Sequence, residues 1–127
     1  VVKVCGIEAE AVTFPISPRA LELILWELCE NAKKFHPTRL PTIEVEVVAV
    51  ENGLRLRVID DGVHLAPQQL EQIWIPYYQA EKRFTGEVPG MGLGLATVAT
   101  LVWSVGGTCR AYNREDGPGL VVELVFV

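Results

Sequence analysis

The sequence predicts an α+β fold in which helices cover one face of a mostly antiparallel sheet. Two long apolar segments have the spacing and the end signals of helices, and several shorter segments alternate apolar and polar residues as strands do. The chain has 127 residues and 50% of them are hydrophobic, which suits one domain with a substantial core.

The charge balance and the cysteines narrow the classes of function. The net charge is −5 without a long basic run, so nucleic acid is not an expected partner, because such binding needs clustered Lys and Arg. No apolar stretch reaches membrane-spanning length. The scattered Cys5, Cys29 and Cys109 are expected to be reduced thiols of a cytoplasmic protein. Because the chain lacks an initial Met and a signal peptide, we expect residues 1–127 to be a single domain from a longer protein.

The predicted elements follow from local end signals. Ser17 suits the N-cap of the first helix, Pro18 suits its first turn, and Pro37 prevents continuation. Asn52 and Gly53 form a hairpin turn signal between two alternating segments. The remaining elements are a strand near residues 1–6, strands at 42–50 and 54–60, a short helix at 66–74, a helix at 93–105 that ends at Gly106-Gly107, and strands at 108–115 and 119–127.

The first helix carries three different faces. Spacing of about 100° per residue gathers an apolar stripe for the core, formed by Leu21, Ile24, Leu25, Leu28, Ala32 and Phe35. Along one border of that stripe lie Glu27, Asn31 and Lys34, at the spacing i, i+4, i+7. A carboxylate, an amide and an ammonium in line can meet a polyphosphate and its Mg²⁺. The alternative is a boundary stripe that carries only Glu–Lys helix pairs.

An inward carboxylate is expected at the end of the second hairpin strand. With the turn at Asn52-Gly53, Val47 pairs with Val58 and Val45 with Asp60, so Asp60 points into the core. A buried carboxylate needs a donor, which is either the backbone of the following turn or an amine of a ligand. Gly62 permits the backbone to approach a flat ligand closely.

Three glycines, Gly90, Gly92 and Gly94, lie just before or within the start of the second long helix. Free amides at a helix N-terminus favour an anion, although a flexible hinge has the same composition. A Walker loop is excluded because no Gly-Lys-Ser/Thr follows. A dinucleotide fingerprint is a poor match, because no strand precedes the glycines and the length leaves no room for a second half-domain.

Four segments in this order resemble the boxes of sensor histidine kinases. They are "ELCENAKKF" for the Asn box, "VIDDGVHLAP" for the first glycine box, "IWIPYYQAE" for the aromatic box and "TGEVPGMGLGLATV" for the ATP lid and second glycine box. The resemblance runs from about Ser17 to Val127 and is to the histidine-kinase catalytic and ATP-binding domain. It implies the Bergerat sandwich, with about three helices over a mixed sheet of about five strands.

The resemblance assigns roles to the matching positions. Asn31 would hold Mg²⁺, Lys34 would face phosphate, and both would form the catalytic set with Glu27. Asp60 would accept the adenine amino group, and Gly62 would lie against the base. Phe35 would pack near the ribose or the base. The lid region would contribute Gln79, Lys82 and Arg83, and the hinge and phosphate-binding amides would come from Gly90, Gly92, Leu93, Gly94 and Leu95.

Three positions depart from the family pattern. His64 stands at the second glycine of the first box, where its ring would crowd the adenine pocket or stack on the base. Glu27 stands where many histidine kinases have Asn. It would position Mg²⁺-bound water or the acceptor histidine, or act as the general base of a hydrolytic ATPase. The acceptor histidine is missing, because neither His36 nor His64 lies in a preceding dimerisation helix.

The resemblance therefore implies the Mg–ATP-binding catalytic domain of a two-component kinase. It would transfer the γ-phosphoryl group of ATP to a histidine on a separate dimerisation domain, and a response regulator would act downstream. The parent would be a cytoplasmic or membrane-anchored homodimer. The alternatives are a hydrolytic ATPase that uses Glu27 and a degenerate nucleotide-binding scaffold.

Overall fold

The computed structural model describes residues 2–5, 14–51, 53–74 and 94–126. Within these ranges the elements in chain order are β1 (Val2–Cys5), α1 (Pro18–Lys34), β2 (Ile43–Val50), β3 (Gly53–Ile59), α2 (Pro67–Gln72), α3 (Gly94–Trp103), β4 (Thr108–Asn113) and β5 (Leu120–Phe126). The strands form one sheet in the order β1-β2-β3-β5-β4. Because β1 is parallel to β2 and the other pairs are antiparallel, the predicted mixed, mostly antiparallel sheet is confirmed.

Helix α1 begins and ends where its local signals predict. The Ser17 hydroxyl accepts the amide of Ala20 at 3.1 Å, and Pro18 occupies the first turn. Lys33 and Lys34 occupy the last turn, where the helix dipole favours cations. No helix in the described part of the chain is long and apolar enough to cross a bilayer.

The apolar stripe of α1 packs where the pattern predicts. Ile24, Leu28 and Ala32 are buried and join one core with the inward side chains of β3 and β5. Helix α3 contacts α1, and its Val98 and Val102 are fully buried in the same core. The two long helices therefore bring one border of α1 next to α3.

The predicted pairing of β2 and β3 is wrong by two residues. Val45 pairs with Val58, and Val50 pairs with Gly53 as the last pair before the turn. Position 52, half of the predicted turn, lies outside the described residues. In the observed register β3 ends at Ile59 and Asp60 lies beyond the strand, whereas the predicted register would pair Asp60 with Val45. A shift by two keeps every side chain on its predicted face, so Asp60 remains inward.

Candidate functional site

The polar border of α1 is present in the structure. Glu27, Asn31 and Lys34 are each half-buried, on the border of a stripe whose centre is fully buried. The Lys34 ammonium lies 5.5 Å from the centre of the Phe35 ring, which places the cation over the last turn of α1. The structure thus confirms that these three side chains share one edge, as their spacing predicts.

The border of α1 meets the start of α3 at Glu27. A Cβ atom built on Gly94 would overlap Oε2 of Glu27 and would lie 3.4 Å from its Cδ. Gly94 is the first residue of α3, and the next residue, Leu95, is 5% exposed and belongs to the core. The structure therefore joins the predicted catalytic carboxylate to the end of the second glycine box.

Asp60 follows the last residue of β3 and is 4% exposed. Its Oδ1 accepts the backbone amides of Gly62 at 2.9 Å and of Leu120 at 3.1 Å. Among the described residues, both hydrogen bonds to this carboxylate end on Oδ1, so Oδ2 is the oxygen left for a ligand donor. Burial raises the pKa of Asp60, and the two amide hydrogen bonds oppose that shift in part.

Gly62 is buried against the end of α1. A Cβ atom at this position would lie 2.8 Å from the carbonyl oxygen of Phe35. That same oxygen accepts the amide of Val63 at 3.1 Å. A side chain at position 62 would therefore push the loop after β3 away from α1, and the close approach to Phe35 requires glycine.

Three groups at the ends of β4 and β5 hold the loop after β3 in place. The Asn113 side chain accepts the amide of Leu65 at 2.9 Å and donates to its carbonyl at 2.8 Å. The Arg114 guanidinium donates to the Asp60 carbonyl at 3.0 Å. At Gly119, with φ 131°, a Cβ atom would overlap that same carbonyl. These residues were missed from the sequence, since no local pattern marks a contact across about fifty residues.

The side chain of His64 connects the loop after β3 to the turn that joins β4 and β5. Its Nε2 donates to the carbonyl of Gly117 at 2.8 Å, and the side chain is exposed. One ring nitrogen is thereby engaged by the protein, while the ring also borders the cavity described next.

A cavity of about 360 Å³ opens between the end of α1 and the loop after β3. This size suits a small-molecule site. Among the predicted site residues, Lys34, Phe35 and His64 line it, whereas Asn31, Asp60 and Gly62 are not in its lining. The other lining residues are His36, Pro37, Arg39, Val63, Leu65 and Gln69. The walls therefore combine apolar side chains with cations of Lys and Arg.

His36 and Asp61 hold one wall of this cavity. Asp61 Oδ1 lies 3.2 Å from Nε2 of His36 and accepts the amide of Thr42 at 2.9 Å. The hydrogen bond from Thr42 lowers the pKa of Asp61, and the proximity of His36 adds to that effect. Asp61 is partly exposed and, unlike Asp60, is bound to the chain that follows α1.

Six of the predicted site residues lie outside the described residues: Gln79, Lys82, Arg83, Gly90, Gly92 and Leu93. For the metal, no group of three His, Cys, Asp or Glu side chains in the described ranges is arranged to hold an ion. The predicted metal ligand is Asn31 alone, and its single amide oxygen fits Mg²⁺, since this ion takes few protein oxygens and keeps waters or phosphates.

Comparison with known proteins decides the family. The protein family described as "Histidine kinase-, DNA gyrase B-, and HSP90-like ATPase" matches residues 16–127, which include α1, the Asp60 loop and the start of α3. The chain belongs to this family of ATP-binding domains. The histidine-kinase-like domain is thus confirmed as predicted from its four boxes.

Curated proteins of similar sequence include sensor histidine kinases. The sensor histidine kinase CpxA of Escherichia coli is 35% identical over 102 residues, which cover 80% of this chain and 21% of CpxA. The histidine-kinase-like domain therefore spans about a fifth of this relative.

Solved structures share its fold. The mycobacterial sensor histidine kinase MprB has a TM-score of 0.75 at 23% identity, covering 98% of this chain and 80% of that one. Full-length ShkA in complex with AMPPNP has a TM-score of 0.71 at 24% identity, covering 98% of this chain and 25% of ShkA.

Proposed function

We propose that this domain binds Mg–ATP and, in its parent protein, transfers the γ-phosphoryl group to a histidine on a separate dimerisation domain. The observation that carries the proposal is the buried carboxylate of Asp60. Two backbone amides occupy its Oδ1, so Oδ2 can accept the amino group of adenine. The contacts of Asn113 and Arg114 hold the same loop in place, which would keep this carboxylate in position for a ligand.

The α1 border supplies the phosphate end of the same site. Lys34 would face the phosphates, and its position over the Phe35 ring keeps the ammonium at the rim of the cavity. Phe35 is 8% exposed, so it would offer a ring edge and its backbone to the ribose or base rather than a free face. Gly62, His64, Gly94 and Leu95 would complete the described contacts, with Lys82, Arg83, Gly90, Gly92 and Leu93 added from outside the described ranges.

The metal would lie at Asn31. The amide oxygen of Asn31 would hold Mg²⁺, which neutralises phosphate charge during phosphoryl transfer. Glu27 stands one helical turn earlier, and its carboxylate is directed to the first residue of α3. We assign Glu27 the task of orienting water or the incoming histidine at this end of the site.

A hydrolytic ATPase is the competing function, with Glu27 as the base that activates water. The kinase is favoured because curated relatives of matching sequence, CpxA among them, are sensor histidine kinases. The AMPPNP complex of ShkA shows that a protein of this fold takes a nucleotide. Positioning and charge neutralisation are the main demands of phosphoryl transfer, and the α1 border would supply both.

The partners follow from the same proposal. The domain would lie in the cytoplasm and act on the dimerisation and phosphoacceptor domain of a homodimeric parent that is itself cytoplasmic or membrane-anchored. A response regulator would then receive the phosphoryl group.

The test begins with calorimetric titration of ATP into the 127-residue chain, with and without Mg²⁺. Binding that strengthens with Mg²⁺ is expected, and no binding would support the degenerate scaffold instead. The chain is then incubated with ATP and the parent's phosphoacceptor domain. Acid-labile phosphoprotein is expected, and steady release of phosphate without that domain would support the ATPase.

A further inference from the structure

We infer that Gly94 is a positioning residue that leaves room for the Glu27 carboxylate at the start of α3. This inference rests on the proposed function and adds to it a residue that acts through Glu27. The three atoms nearest to a Cβ built on Gly94 are Oε2, Cδ and Cβ of Glu27, the last two at 3.4 and 4.0 Å. The space that any side chain would take at position 94 is therefore already filled by one carboxylate.

Gly94 differs in this respect from the other glycines with close neighbours in the described chain. At Gly62, Gly107 and Gly119, an added Cβ would meet backbone carbonyl groups, which cannot move without moving the fold. At Gly94 it would meet the far end of a flexible side chain, which can turn away. Substitution at Gly94 is therefore expected to spare the fold and displace the carboxylate.

Helix propensity separates this role from a structural one. Gly94 begins α3, and alanine favours a helix over glycine by up to about 1 kcal/mol, the full amount only at interior positions. Glycine at this end of the helix therefore adds no stability to α3. In our inference, its benefit is the position of Glu27, whose carboxylate would otherwise swing away from α3 and from the metal end beside Asn31.

The test is a double-mutant cycle on the 127-residue chain with Gly94→Ala, Glu27→Ala and both together. Mg–ATP and metal-free ATP affinities are measured by calorimetry, and the melting temperature is measured in parallel. Gly94→Ala is expected to weaken Mg–ATP binding by on the order of tenfold, with a smaller effect on metal-free ATP. Its melting temperature should be unchanged or higher. In the Glu27→Ala background, which has no carboxylate to displace, adding Gly94→Ala should cause no further loss.

Three outcomes would overturn this inference and leave the proposed function standing. They are an unchanged Mg–ATP affinity in Gly94→Ala, an equal loss in both backgrounds, or a lower melting temperature that accounts for the loss. An equal loss would assign Gly94 a backbone role that is independent of Glu27. If the unsubstituted 127-residue chain binds no nucleotide, the proposed function fails, and this inference fails with it.

Discussion

Replacement of Asp60 by asparagine separates the structural and the ligand-binding oxygens of one side chain. In the Asp60→Asn variant, the side-chain amide can keep its oxygen on the amides of Gly62 and Leu120, which now lie 2.9 and 3.1 Å from Oδ1. Its NH₂ group then takes the place of Oδ2. A donor would therefore face the amino group of adenine, which is also a donor.

The expected loss follows from the hydrogen bond that is removed. A hydrogen bond to a charged group contributes about 1.5–3 kcal/mol, so Asp60→Asn should weaken ATP binding by about ten- to a hundredfold. Guanine carries an acceptor oxygen at the corresponding position, so GTP binding should fall less or improve. Competition titrations with ATP and GTP measure both effects. Equal loss of the two nucleotides would refute the adenine role of Asp60.

The same variant has an opposite effect on stability. Because burial raises the pKa of Asp60, the folded protein binds this proton more tightly than the unfolded chain does. The contribution of Asp60 to the free energy of unfolding is then greatest below its ordinary pKa and falls as pH rises through the folded value. The Asp60→Asn variant has no carboxylate to ionise, so it does not lose stability in this way as pH rises. Its free energy of unfolding relative to that of the unsubstituted chain should therefore be most favourable at neutral pH and less so on acidification. Melting temperatures measured across this pH range test the sign.

Asp61→Asn is the matched control, since it makes the same change one residue away. Its carboxylate is partly exposed and bonds Thr42 and His36, so ATP selectivity should be retained. A loss of adenine selectivity as large as that of Asp60→Asn would show that the loop as a whole, rather than Oδ2 of Asp60, recognises the base.

Three further predictions concern the metal, the departure from the glycine box and a half-buried thiol. Asn31→Ala should remove the Mg²⁺-dependent part of ATP affinity in titrations with and without the metal; an unchanged Mg²⁺ effect would contradict the metal role. His64→Gly should cost about 1 kcal/mol of stability, because it removes the hydrogen bond to Gly117, while ATP affinity stays equal or rises; a large loss of affinity would make the ring itself a nucleotide contact. Burial raises the pKa of Cys109 to about 11, so only roughly a thousandth of it is thiolate at pH 8. Iodoacetamide should alkylate it slowly, with a rate that rises with pH; alkylation as fast as in the unfolded chain would contradict that burial.

Much of the site could be predicted because its signals are local. The three faces of α1 follow from helical spacing, and the boundaries of α1 follow from Ser17, Pro18 and Pro37, which act within one turn. The inward direction of Asp60 follows from the two-residue period of a strand, and it survives a register error of two for that reason. The order of the four boxes identifies the family without knowledge of any distance.

The clamps on the Asp60 loop could not be predicted in this way. Asn113, Arg114 and Gly117 are about fifty residues from their partners, and an Asn or Arg after a strand has many equivalent uses on a surface. Their contacts exist because the sheet order places β5 beside β3 and carries the β4–β5 turn to the end of β3.

By itself, therefore, the sequence determined the elements, their buried faces and the family, since each depends on spacing along the chain or on an ordered set of motifs. Only the tertiary structure decided the strand register, the use of Gly62 against Phe35 and the meeting of Glu27 with Gly94. These depend on how closely separate elements approach one another. Close packing sets that distance, and the residues at each contact do not encode it locally.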